Sequence, residues 1–162
     1  MMDSKIAVEN LLGMAVKIES DGAEFYLKAS KRVNNPEACR ELKKLEEMEI
    51  EHKKIFSEMK SQYSKSNIDA ITQDKDPKIE NDLNIFQDNR IFNFNTGIYK
   101  TITDDRALLD IINMAITLEK DTIVFYSGLV NLITAESFNN VLNKVIREEI
   151  SHLAILANLP IF

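Results

Sequence analysis

The chain has 162 residues, 44% hydrophobic and 28% charged, with four Gly, three Pro and no Trp. That length suits one domain with a substantial core, and the balance excludes a disordered chain, a collagen-like fibre, a disulfide scaffold and a turn-rich β-sandwich or barrel. Lys plus Arg number 20 against 26 Asp plus Glu, for a net charge of -6; with no basic block there is no electrostatic footprint for nucleic acid or an anionic membrane.

The first residues, Met1-Met2-Asp3-Ser4-Lys5, lack the basic start and apolar stretch of a signal peptide, and no uncharged apolar run is long enough to span a membrane. The expectation is a soluble, cytoplasmic protein. Ser4 fits the cap of a first helix, in which Val8, Leu12, Ala15, Gly22, Tyr26 and Ala29 recur three and four apart. That helix is predicted to stop near Val33, at the break Asn34-Asn35-Pro36. Asn35 suits an N-cap with Pro36 at the first helical position. The second helix then runs to about Tyr63 through Ala38, Leu42, Leu45, Phe56 and Met59. So short a loop makes residues 4–63 an antiparallel hairpin.

Residues 64–102 read as a crossover. Ser64 to Asp82 is polar and aperiodic, and Leu83 to Tyr99 mixes apolar residues with many Asn. A bundle of such helices is roughly 40 Å long at 1.5 Å per residue. About 12 extended residues span that distance, so the crossover is easily long enough. A third helix is predicted from Thr103-Asp104-Asp105 to about Ile133. Thr134 then caps a fourth, which ends near Asn158 before Pro160. Residues 103–158 thus form a second hairpin, and the whole is one all-α domain, an up-down-down-up four-helix bundle over residues 1–162. The apolar tail, Leu156 to Phe162, suits packing either on its own bundle or on a partner subunit.

The two hairpins repeat each other at an offset of one hundred. Met14-Ala15-Val16-Lys17-Ile18-Glu19-Ser20-Asp21 recurs as Met114-Ala115-Ile116-Thr117-Leu118-Glu119-Lys120-Asp121, and Phe25-Tyr26 as Phe125-Tyr126. In the second members Leu42, Lys44, Glu49, Ile50, His52 and Ile55 match Leu142, Lys144, Glu149, Ile150, His152 and Ile155, without a slip of register. Two hairpins related by a pseudo-twofold axis follow, with equivalent residues facing one shared centre.

Ionisable residues interrupt the core stripes at mid-helix. Glu19 falls between Ala15 and Gly22, and Glu119 between Ala115 and Thr122. Glu49 and His52 follow Leu42 and Leu45, and Glu149 and His152 follow Leu142 and Val145. Carboxylates are almost never fully buried without a partner. Four carboxylates with two neutral imidazoles carry minus four, which two divalent cations cancel, as do two ferric ions sharing an oxide. Glu and His three apart project from one helical face, and both suit iron. One Glu from each of two helices plus Glu-x-x-His from the other two is the known di-iron carboxylate pattern. Glu46, Glu47, Glu51 and Glu148 lie off the stripes and are predicted on solvated faces. Cys39, the single cysteine, reads as a small helical filler and cannot build a thiolate metal centre.

On Glu19, Glu49-Ile50-Glu51-His52, Glu119 and Glu149-Ile150-Ser151-His152, the chain resembles the rubrerythrin branch of the ferritin-like superfamily. The resemblance implies terminal carboxylates at Glu19 and Glu119, bridging carboxylates at Glu49 and Glu149, and one metal on each of His52 and His152. Tyr26 and Tyr126 lie about 20° around the helix from Glu19 and Glu119, two turns on, where each can hydrogen-bond a ligating carboxylate. Two departures stand out: the extra glutamate common in rubrerythrins is replaced by Thr122, and a chain with one cysteine holds no rubredoxin module. The six-ligand set therefore resembles bacterioferritin as much as a peroxide-reducing rubrerythrin.

The implied function is a non-haem di-iron oxidoreductase that reduces hydrogen peroxide or dioxygen, as in oxidative stress. Its cofactor is two iron ions, with zinc or manganese as other metals the donors accept. The family also implies a homodimer, in which the crossover would allow hairpins to exchange, and an external electron donor of the rubredoxin type. A ferroxidase or iron-handling protein, and a non-catalytic bundle stabilised by a redox-inactive metal, are the alternatives.

Overall fold

Asn35 punctuates the chain as its sequence requires. Its Oδ1 accepts hydrogen bonds from the backbone N–H groups of Glu37 at 2.9 Å and Ala38 at 3.0 Å, which satisfies two donors at the start of a helix. In the computed structural model, which describes residues 4–65 and 106–160, four α-helices carry the fold: α1 (Ser4–Ser30), α2 (Pro36–Lys65), α3 (Arg106–Leu132) and α4 (Glu136–Ala157). The predicted crossover lies almost wholly outside the described residues, as do the predicted start of the third helix at Thr103–Asp105 and the last two residues of the tail.

Three boundaries differ from expectation. Ser4, the expected cap, already belongs to α1. That helix ends at Ser30, three residues before Val33, because the N–H groups of Arg32 and Val33 both turn back onto the Ala29 carbonyl. Thr134 does not cap α4: the N-cap is Ala135, whose carbonyl accepts from Phe138 and Asn139. Ala135 offers no side-chain oxygen, and the junction is instead tied by Asn139, whose Nδ2 donates to the Ile133 carbonyl at 2.7 Å.

Pairs across the bundle give the topology. Lys53 reaches Ser20 and Ser64 reaches Glu9, so α1 and α2 are antiparallel. Tyr26 meets Glu119 and Tyr126 meets Glu19, which sets α3 antiparallel to α1. His52 meets Glu149 and His152 meets Glu49, which sets α4 antiparallel to α2. The described residues form an all-α, up-down-down-up four-helix bundle.

The apolar core is split into two slabs. One gathers Val8, Leu11 and Leu12 with Phe125, Leu142 and Val145; the other gathers Phe25, Leu42 and Leu45 with Leu108, Ile111 and Ile112. Adding or subtracting one hundred carries all twelve buried residues of the second slab onto residues of the first, so the sequence repeat appears as a twofold relation in space. Leu156 and Leu159 pack in the second slab, which places that part of the tail on its own bundle. Each fully buried Leu or Phe of the two slabs contributes about 1.5–3 kcal/mol to holding the helices together. None of the four helices is long and apolar enough to cross a membrane.

Candidate metal centre

Between the slabs lie Glu19, Glu49, His52, Glu119, Glu149 and His152, none more than 4% exposed. One comes from α1, two from α2, one from α3 and two from α4. Ligand atoms of Glu49, His52, Glu149 and His152 fall within 4.8 Å of one another. His52 Nδ1 is 3.0 Å from Glu149 and 3.6 Å from Glu19. His152 Nδ1 is 3.1 Å from Glu49, 3.4 Å from Glu119 and 2.9 Å from Glu149. The two imidazole rings stack with centroids 5.6 Å apart, inclined by 19°.

The donor atoms remain unsatisfied as hydrogen-bonding groups. Nδ1 of both histidines, Glu19 Oε2, Glu49 Oε1 and both oxygens of Glu149 are buried and, though the imidazoles lie in ion-pair contact with the carboxylates, make no aligned hydrogen bond among the described residues. Such orphans are rare, and each costs free energy in a protein held together by its own contacts alone. Gathered into one buried centre from oxygen and nitrogen donors, they fit a pair of cations such as iron, zinc or manganese.

The tyrosines cross the twofold. Tyr26 donates to Glu119 Oε1 and Tyr126 to Glu19 Oε1, so each phenol holds the carboxylate of the opposite hairpin. Burial, then the neighbouring glutamates, push both phenols well above the ordinary tyrosine value and keep them as donors. Phe25 packs edge-on against Tyr26 with ring centroids 5.1 Å apart, and Phe56 lies 4.8 Å from Tyr126.

Charge is shared unevenly. Burial alone would lower the imidazoles, but Glu149 and Glu19 outweigh it for His52 and raise it to about 11; Glu119 and Glu149 raise His152 to about 10. Burial raises Glu119 to about 7, against the pull of His152. Glu49 is pushed up by burial and by Glu19, Glu149 and Glu119. Burial works the same way on Glu149, yet the two histidines override it and hold the carboxyl down at about 2.

Two participants were hidden from sequence reasoning. Glu148, predicted on a solvated face, is 35% exposed and places Oε2 2.9 Å from His52 Nε2. The correction follows from the antiparallel contact of α2 with α4, which brings the edge of one helix to the outer nitrogen on the other. A break in the repeat, Met48 opposite Glu148, was the available signal. Gly22 is the second: a Cβ there would lie 2.8 Å from Glu49 Oε2, so the missing side chain makes room for the carboxylate. Its repeat equivalent, Thr122, is buried. Glu47 and Glu51 are exposed as predicted, whereas Glu46 is half-buried.

By structure, the chain is similar to a ferritin-like diiron-carboxylate protein of Thermotoga maritima, with a TM-score of 0.69 over 93% of this chain and 91% of that one, at 22% identity. No curated protein matches it by sequence. Residues 10–160 match the family model described as Rubrerythrin. The chain therefore belongs to the rubrerythrin family.

Proposed function

We propose that the protein is a di-iron oxidoreductase that reduces hydrogen peroxide or dioxygen. Glu19, Glu49, His52, Glu119, Glu149 and His152 would hold the metals, with Glu49 and Glu149 as the carboxylates the two ions would share. The observation that carries this proposal is the convergence of orphaned carboxylate and imidazole atoms in one buried layer. When bound, two ferrous ions supply the two electrons that, with two protons, convert one peroxide to two waters. The chain's own residues hold and orient: Tyr26 and Tyr126 fix Glu119 and Glu19, Glu148 fixes His52, and the apolar slabs exclude bulk water. Electrons would return from a separate rubredoxin-type donor, and a homodimer is the assembly we propose.

The test is metal content and oxidation on protein purified without air. Two irons per chain, oxidised faster by peroxide than by oxygen, support the proposal. Zinc that ignores both oxidants overturns it in favour of a metal-stabilised bundle. The Glu49→Ala/Glu149→Ala double variant should lose dinuclear binding, and two metals retained there would overturn the ligand assignment. Thr122, a buried hydroxyl where the family commonly has a further glutamate, favours a second reading as a ferroxidase. Faster oxidation by oxygen with continued iron uptake beyond two per chain would select it.

A further inference from the structure

The two histidines of the centre are supported unequally. Both bring Nδ1 to the shared carboxylates. On the outer side, His52 Nε2 lies 2.9 Å from Glu148 Oε2. His152 Nε2 is buried and has no hydrogen-bond partner among the described residues. The repeat accounts for the difference, because the position equivalent to Glu148 is Met48, which carries no carboxylate.

The neighbouring lysines follow suit. Glu148 Oε1 lies 3.7 Å from Lys144 Nζ, one turn back on α4. Lys44, the repeat partner of Lys144, instead pairs with Glu41 at 2.7 Å. A chain Lys144–Glu148–His52 therefore runs inward from the surface on one side of the twofold only.

An imidazole that donates Nε2–H to a carboxylate is held in the tautomer that leaves Nδ1 free to ligate, with its ring orientation fixed and its basicity raised. His52 has this support and His152 lacks it. We propose that the two metal positions are therefore unequal: the position of His52 fills first and holds its ion about 10–100-fold more tightly, and Glu148 is the positioning residue that sets the order. The position of His152 is the exchangeable one. This rests on the metal-centre reading above and adds an order of filling to it.

The chain contains two histidines, so ring NMR reports each position separately. Zinc(II) is titrated into metal-free protein, and one histidine variant assigns the signals. At one equivalent the change is expected mostly in the His52 ring, with the His152 position only about 10–25% filled at that ratio of affinities; at two equivalents both have shifted. Glu148→Gln keeps an acceptor and should retain the order with a smaller gap, whereas Glu148→Ala should erase it. Met48→Glu supplies the missing carboxylate and should tighten the second step toward the first. Simultaneous shifts in the unaltered protein, or His152 leading, would overturn the inequality, and an order that survives Glu148→Ala would overturn the role of Glu148 in setting it. Should neither ring respond to two equivalents, the metal-centre reading itself fails, a result unlike any of these.

Discussion

Tyr26 on α1 donates its hydroxyl hydrogen bond to Glu119 on α3 and leaves Glu19, on its own helix, to Tyr126. The two hairpins are thus locked to each other through the carboxylates proposed as metal ligands. Each phenol is buried, so removing the hydroxyl strands a carboxylate oxygen away from water.

Tyr26→Phe is expected to destabilise the metal-free protein by about 1–3 kcal/mol, the usual cost of an orphaned buried acceptor. Its local effect should fall on the opposite half, because Glu119 lies 3.4 Å from His152. Denaturant unfolding measures the first effect, and the zinc-dependent shift of the His152 ring measures the second. A perturbation confined to His52 would contradict the crossed pairing.

Gly22→Ala separates stability from metal binding at one position. In a helix interior, replacing Gly by Ala ordinarily gains about 1 kcal/mol. Here the new Cβ would sit 2.8 Å from Glu49 Oε2 and 3.2 Å from its carboxyl carbon, so the carboxylate must turn away. The expected result is a metal-free melting temperature that is unchanged or raised, with affinity for zinc down by about tenfold or more. Equal affinity with lowered stability would show that the clash is relieved elsewhere.

Much of this layer was legible in the sequence because two independent patterns agree on it. Glu19, Glu49 and His52 occupy stripe positions, and Glu119, Glu149 and His152 repeat them one hundred residues on; the structure buries all six. Asn35 was legible because an N-cap is a local matter, settled within three residues. Glu148 was not, because one residue off the stripe turns a side chain by about 100°, and only the approach of α2 to α4 brings it back to His52. The partner of Tyr26 was illegible for the same reason: its angle on α1 is local, but the choice of Glu119 over Glu19 depends on how α3 lies across the bundle. Thr134 misled because its hydroxyl suits a cap, while the backbone placed the cap one residue later, at Ala135.

Metal uptake should release protons and tighten as pH rises. His52 at about 11 and His152 at about 10 are protonated in the metal-free protein at neutral pH and must lose their protons to ligate. Calorimetric zinc titrations near pH 8 in buffers of different ionisation heat should count at least the two histidine protons released per two ions, with any proton held by the raised Glu49 in addition. The sign for stability is opposite. Groups raised on folding, the two histidines, Glu49 and Glu119 (the last to about 7), stabilise the metal-free fold below their unfolded values. That contribution fades as pH climbs from about 4.5 to 7 for Glu119 and from about 6.5 to 11 for the histidines. Glu149, held at about 2, acts the other way and loses its contribution as pH falls from about 4.5 to 2. Metal-free stability should therefore peak in mildly acidic solution, and a maximum above pH 8 would contradict the charge arrangement.

Glu49 and Glu149 are repeat equivalents with opposite electrostatics, which gives the sharpest paired test. Glu149 lies within 3.0 Å of the Nδ1 atoms of both histidines, whereas Glu49 meets only that of His152 and is crowded by other carboxylates. Neutralising Glu149 removes the anion that both imidazoliums share; Glu149→Gln should cost the metal-free protein about 3–5 kcal/mol, as breaking a buried ion pair does. Glu49→Gln replaces a carboxyl whose ionisation burial and its neighbours already disfavour, and should leave the metal-free protein as stable or more so. With zinc the two variants should differ again: Glu49→Gln keeps one ion at His52, while Glu149→Gln weakens both positions. Melting curves with and without zinc, paired with equilibrium dialysis for stoichiometry, check all four outcomes. Equal behaviour of the two variants would mean that Glu149 does not hold the two histidines together.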